Sequence, residues 1–503
     1  MSKAAKKLMI CGTMSGVGKS ALTAGLLRIF SREGYVCAPF KSQNMALNSG
    51  VTADGLEMGR AQIMQARAAM HEPDVRMNPI LLKPEGDRRS QVVFRGKAVG
   101  SYTATEYFEK RGTYLPDILD CFQSLSAEND IIIIEGAGSP AEINLNLGGN
   151  DIVNMGLAAA VDAPVLLVAD IDRGGAFAQL LGTYEWLKDD EKKRVKGFLF
   201  NKFRGDPKLL APGPDMLYNR TNVRTLGVVP WTDIDLDDED SLSDRLAEKG
   251  RFGDLQGNGA GRKGLLDIAV IRFPHISNFT DMIPLAVPGL SSVRYLERPE
   301  DMGSPDLLLL PGTKTTISDL RWLKACGLAP EILKFAATGG QVFGLCGGYQ
   351  MLGTVLDDPA GNDGGGHEEG LGLLHTATVF SEEKTLVQCR GRFGDAAGGP
   401  VVSGYQIHAG VTESTDPPMN FLENGPEGAV NGNVCGTYLH GIFDSAEFLQ
   451  AFLRNIAEAN RKTIPAGIRI ESRREREERD FDLLAEAIEK NVDMKAIRSI
   501  IGL

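Results

Sequence analysis

The chain has 503 residues, too many for one ordinary core, so two or three domains are expected. Its 43% hydrophobic and 24% charged residues are the balance of a globular protein, and a net charge of -12 speaks against a nucleic-acid-binding surface. The seven scattered cysteines form no CxxC pair and no metal-type spacing, no apolar leader follows Met1–Lys7, and no apolar run nears the ~18 residues that cross a bilayer; a cytoplasmic protein without membrane contact is expected.

The first apolar run, Leu8–Cys11, leads into Gly12-Thr13-Met14-Ser15-Gly16-Val17-Gly18-Lys19-Ser20. A glycine-rich turn between a buried strand and a helix points backbone N–H groups at an anion, and the helix dipole adds to the attraction. Gly12, Thr13, Gly16, Val17, Gly18, Lys19 and Ser20 are therefore the expected ATP-binding set, with Lys19 on the outer phosphates and the Ser20 hydroxyl on Mg²⁺. Thr13 stands where the strict spacing has a glycine; Gly12 is one position early. Lys41 ends a strand at Tyr35–Phe40 and steadies a phosphate or a substrate carboxylate, or is a surface lysine. Glu135 ends the strand Ile131–Ile134, and Gly136-Ala137-Gly138 behind it leaves room for a phosphate. Hard oxygen ligands suit Mg²⁺, so Ser20, Glu135 and Asp54 are the candidate metal set. Asp170 and Asp172 end Val165–Ala169; Asn201-Lys202, after Gly197–Phe200, is an adenine contact or a simple turn. With Thr225–Val229 the alternation reads as a parallel sheet wrapped by helices over residues 1–232. The acidic run Asp233–Asp244 and the glycine-rich Gly250–Gly264 make 233–264 the linker candidate.

A second α/β set, 265–445, runs through Leu266–Phe273, Ser292–Leu296, Leu307–Leu310 and Gln341–Leu345 and closes near Gly436–His440. Gly344-Leu345-Cys346-Gly347-Gly348 has the form of a nucleophile elbow with cysteine in place of serine. The following helix start favours thiolate. Backbone N–H groups of Gly347 and Gly312 are the expected oxyanion hole. His440, ending a late strand before a glycine, is the expected partner of Cys346; His408 is second and could instead contact substrate. The remaining four histidines are read as structural or surface residues. Residues 446–503 read as a helical segment, with Phe481, Leu483, Leu484, Ile488 and Val492 near a 3.6-residue period and Arg473–Asp480 as a solvated face.

The first half, with Glu135-Gly136-Ala137-Gly138, resembles P-loop domains of the dethiobiotin synthetase type, which activate a carboxylate as an acyl phosphate. The second resembles class I glutamine amidotransferase domains. The fusion, over nearly the whole chain, resembles the cobyric acid synthase family. The stretches that carry this are Phe40–Ser49, Asp54–Gln62, Gly138–Leu145, Asp170–Gly175 and Glu239–Ser241. The resemblance implies ATP- and glutamine-dependent amidation of the b, d, e and g carboxylates of adenosylcobyrinic acid a,c-diamide, a corrinoid, with L-glutamine as nitrogen source. It implies substrate-facing roles for Asn44, Asn144, Asp172 and Arg173 beside Lys41 and His408. A homo-oligomer is left open. One departure stands out: class I glutaminases carry a glutamate two residues after the histidine, and here that position is Ile442. His440 must then be oriented by another group, and glutamine hydrolysis is expected to be slow until the synthetase site is filled. The rivals are cobyrinic acid a,c-diamide synthase, a partition-type ATPase whose second lysine would stand at Met14, and a binding module with an inert Cys346.

Overall fold

The protein is described by a computed structural model covering residues 4–85, 89–142, 151–236, 265–361, 363 and 365–503. Asn144 and the expected linker from 237 onward lie outside these residues. The chain packs as two units built from interleaved pieces. One comprises Met1–Ala46, Glu57–Glu239 and Arg476–Leu503; the other comprises Leu47–Leu56 and Asp240–Glu475.

In the first unit six parallel strands lie in the order Thr225–Pro230, Val195–Phe203, Val165–Asp170, Lys6–Gly12, Ile131–Glu135, Cys37–Phe40. Strands covered on both faces need unbroken apolar runs, and Ile131, Ile132, Ile133 and Ile134 are all fully buried. The helix Lys19–Arg32 turns Leu22, Leu26, Leu27 and Phe30 into one core. That core is shared with Phe481, Leu484, Ile488, Ile497 and Ile501. The expected solvated face at Arg473–Asp480 is only partly so: Arg473, Glu477 and Asp480 are buried. The neighbouring acids are occupied as well, since the buried Arg28 holds Glu478 and Asp482 at 2.7 Å each. Periodicity showed the apolar stripe but not that its charged flank also packs. A four-stranded sheet, Gln43–Met45, Ile80–Glu85, Arg89–Phe94 and Lys97–Thr103, has no counterpart in the sequence reading.

The second unit holds five parallel strands in the order Ser291–Leu296, Leu266–Ile271, Leu307–Leu310, Gln341–Leu345, Val434–Thr437, edged by the antiparallel Ala429–Asn431. Beside it the long antiparallel pair Thr376–Phe393 and Val401–Ser414 belongs to a further sheet. The stretch expected as one C-terminal segment is divided. Helix Ala446–Ala459 packs Phe448 and Phe452 against Phe343 and Phe443 of the second unit. Helices Arg473–Asn491 and Met494–Ile501 carry the apolar residues that fill the first unit's core.

Candidate active site: a phosphate loop and a cysteine triad

In each unit the functional residues gather at the carboxyl ends of neighbouring parallel strands, where an open α/β sheet leaves its crevice. In the first unit Gly12, Glu135 and Asp170 end three adjacent strands. The loop after Gly12 reaches the helix through Gly16 at φ 75° and Gly18 at φ 91°, left-handed values that only glycine adopts without strain. Thr13 Oγ1 is 3.1 Å from Gln179 Oε1. Lys19 is buried, its Nζ donating to Met14 O and Gly138 O at 3.2 Å each. Ser20 Oγ donates to Glu135 Oε1 at 3.0 Å, Lys41 Nζ lies 2.9 Å from the same oxygen, and Gln65 Nε2 donates to Oε2 at 2.5 Å. Lys41 is therefore no surface lysine: it is buried with Glu135 and balances its charge.

Two residues brace the loop from below. Asn201 Nδ2 donates to Val17 O at 2.9 Å, and a Cβ on Gly18 would run into that carboxamide. Lys202, at φ 60°, donates to Gly16 O at 2.7 Å and pairs with Asp170 Oδ2 at 3.0 Å. The sequence suggests Asn201-Lys202 as an adenine contact or a simple turn; nothing local in that pair announces a brace. Arg173 Nε stands 3.8 Å from Asp170 Oδ2, and Asp172 pairs with Arg204 at 3.2 Å. Asn44 is buried and donates to Gln62 Oε1 at 3.0 Å. Asp54 belongs to the second unit, where it accepts from Thr52 Oγ1 at 2.5 Å; the Ser20–Glu135 pair is assembled in the first unit without it. Among the described residues no group of three or more metal-ligand side chains forms. Two oxygen donors, Ser20 and Glu135, nevertheless fit Mg²⁺, which keeps several waters and takes phosphate oxygens.

In the second unit Cys346, Gly312 and His440 follow three adjacent strands. Cys346 has φ 51° and ψ -108°, the strained turn of an elbow. Its backbone N–H is held by Thr437 O at 2.9 Å, and its Sγ lies 3.8 Å from Ile407 O. A Cβ on Gly348 would strike the Leu310 carbonyl, so glycine lets the short helix Gly347–Leu352 press onto the neighbouring strand. The same construction at Gly347 comes within 3.2 Å of Thr313 N, and at Gly312 within 3.3 Å of His440 Cε1, so both expected oxyanion loops face the cysteine and histidine region.

His440 is fully enclosed, and its Nδ1 donates to Asp281 Oδ2 at 2.7 Å. Asp281 also accepts from Gly441 N at 3.2 Å. The group missing after His440 is thus supplied from the turn Phe279–Leu285, upstream of the cysteine. Burial alone would lower the pKa of His440; the charge of Asp281, Cys346 beside it and the hydrogen bond to Asp281 outweigh that and lift it to about 9. His408 behaves oppositely. It stacks on Tyr438 at 3.7 Å and donates from Nδ1 to Gly410 O at 2.7 Å, while burial lowers its pKa to about 4. Its Nε2 is buried and lacks a hydrogen-bond partner among the described residues. Glu427, which burial pushes up, accepts from Thr437 Oγ1 and Tyr438 N and clamps the strand end that carries His440.

A phosphate-binding loop on one parallel sheet and a cysteine, a histidine and an aspartate brought together at another are the arrangement expected of a glutamine-dependent amidoligase. Residues 8–241 match the CobQ/CobB/MinD/ParA nucleotide binding domain family, and residues 267–448 match the CobB/CobQ-like glutamine amidotransferase domain family. The chain is 49% identical to cobyric acid synthase of Ruminiclostridium cellulolyticum over 99% of its own length and 97% of that protein's. It is 47% identical to the Streptococcus sanguinis enzyme over 99% of both, and 48% identical to that of Photorhabdus laumondii over 97% of both. The chain belongs to the cobyric acid synthase family.

Proposed function

We propose that the protein converts adenosylcobyrinic acid a,c-diamide to adenosylcobyric acid by amidating the b, d, e and g side-chain carboxylates in successive rounds. ATP is the phosphoryl donor and glutamine the nitrogen source. The observation that carries this reading is the Asp281–His440–Cys346 arrangement in a chain that also holds the Lys19–Ser20–Glu135 loop.

On this reading a corrinoid carboxylate oxygen attacks the γ-phosphorus, ADP leaves, and an acyl phosphate forms. Lys19 steadies the charge on the transferring group, with Asn201 and Lys202 keeping the loop in place. Bound Mg²⁺, held by Ser20 and Glu135, would neutralise phosphate charge there. Lys41, Asn44, Asp172 and Arg173 are the proposed substrate-side residues of this unit. In the other unit an imidazolium at His440 stabilises anionic sulfur at Cys346. The sulfur attacks the glutamine carboxamide carbon, the oxyanion lies against N–H groups of Gly312 and Gly347, and His440 gives its proton to the departing ammonia. Water then cleaves the thioester to glutamate. Ammonia attacks the acyl carbon and phosphate leaves. His408, neutral and with Nε2 as an acceptor, is suited to an N–H of glutamine and unsuited to the carboxylate of glutamate.

Mass spectrometry of the corrinoid after incubation with ATP, Mg²⁺ and glutamine tests the reading. Four successive losses of about one mass unit, each an OH replaced by NH₂, are the expected result; no loss from the a,c-diamide overturns it.

A further inference from the structure

Residues Leu47–Leu56 pack with the second unit, although Ala46 before them and Glu57 after them belong to the first. Ser49 is bonded on both sides: its carbonyl accepts from the Tyr405 hydroxyl at 2.9 Å and its N–H donates to Asn278 Oδ1 at 2.9 Å. The Val51 carbonyl accepts from Gln388 Nε2, and the Val51 side chain packs with Tyr405 and Ile407. These partners adjoin the catalytic groups. Tyr405 exchanges backbone hydrogen bonds with His440 at 3.1 and 2.9 Å, and its ring stacks on the imidazole with centroids 5.3 Å apart and planes at 17°. Asn278, at φ 50°, opens the turn that carries Asp281, whose N–H bonds back to Asn278 O at 3.0 Å. Ser49 thus joins the two supports of His440, the stacked ring and the carboxylate.

We propose that Tyr405 is a positioning residue for His440, and that Leu47–Leu56 is a strap through which the nucleotide-binding part of the chain sets the glutaminase. The strap follows closely on Lys41, which is paired with Glu135 beside Ser20, so a rearrangement of those phosphate-side groups pulls on a short, inextensible run of backbone. A two-state shift at Ser49 would alter the hold on Tyr405 and Asn278 together. The inference rests on the proposed amidation and adds the connection between its two reactions.

The test uses the full chain and follows glutamate formation with and without ATP and corrinoid, alongside amidation driven by ammonium chloride. Tyr405→Phe removes the hydroxyl that bonds Ser49 and keeps the ring. The expected result is about a tenfold fall in the stimulated kcat, with the KM for glutamine within about twofold, a stimulation ratio moved toward one, and ammonium-driven amidation retained. Asn278→Gly, which keeps the left-handed backbone accessible, should give a similar fall. The double variant should be little worse than either alone, because both hold one residue. An unchanged stimulation ratio in Tyr405→Phe overturns the proposal, as do additive losses or an equal loss of ammonium-driven amidation. Wild-type protein that forms no glutamate under any condition overturns the glutaminase reading itself, a different failure.

Discussion

Asp281 stands 159 residues before His440, yet its carboxylate is 2.7 Å from the imidazole. Its replacement by asparagine keeps the size and removes the largest of the contributions that together offset burial at His440. The expected result for Asp281→Asn is a loss of about a hundredfold or more in glutamine hydrolysis. The pH dependence has a definite sign. The pKa of His440 is raised in the folded protein, so its imidazolium contributes stability that is fully present below the ordinary value of 6.5 and is lost as pH rises through about 9. Glutamine hydrolysis should therefore fall along an alkaline limb near pH 9 in the wild type, and Asp281→Asn should move that limb toward lower pH. A pH–rate profile of both proteins checks this. Cys346, His440, Lys19, Ser20 and Glu135 were legible in the sequence because each sits in a short local string whose glycines have a steric reason. Asp281 was not, since nothing in Asn278-Phe279-Thr280-Asp281 announces a partner so distant in the chain.

Among elements, the strand–loop–helix units carry the chemistry and depend on a few close approaches. Gly18 combines a positive φ with the Asn201 carboxamide lying where a Cβ would go. Gly18→Ala should strain the turn by roughly 1–2 kcal/mol and displace the brace. The expected outcome is at least a tenfold loss of ATP affinity, measured by calorimetric titration. The central strands of both parallel sheets, such as Ile131–Glu135 and Leu307–Leu310, were readable as apolar runs, since burial on two faces leaves no alternation to misread. The four-stranded sheet at Gln43–Thr103 escaped because its members are short or mixed in character: the apolar runs Ile80–Leu82 and Val92–Phe94 are each joined to polar residues, and Gln43–Met45 and Lys97–Thr103 have no such run. The packed charges around Arg473–Asp480, Glu478 and Asp482 held by Arg28 and the buried Glu477 held by Arg67, escaped for a related reason. A charged stretch reads as solvated unless its partner is known, and Arg28 lies at the other end of the sequence.

For the whole molecule, two reactions in one chain predict a separable phenotype. Cys346→Ala should abolish amidation supported by glutamine while leaving amidation supported by ammonium chloride within about twofold of wild type. Corrinoid mass spectra with each nitrogen source check it. The order of domains was legible, but the path of the chain was not: composition marks a boundary near 233–264, whereas packing returns the last helices to the front unit and lends Leu47–Leu56 to the back one.

That interleaving bears on how the polypeptide acquires its shape during synthesis. The helix Lys19–Arg32 emerges from the ribosome early, yet the apolar surface that covers it, from Phe481 to Ile501, emerges almost last. The front unit must wait, partly bare, while the whole back unit is being made. Truncation between residue 265 and Phe481 would leave Leu22, Leu26 and Phe30 without their lid, so a nascent or clipped chain of this enzyme should depend on chaperones for its front half rather than its back.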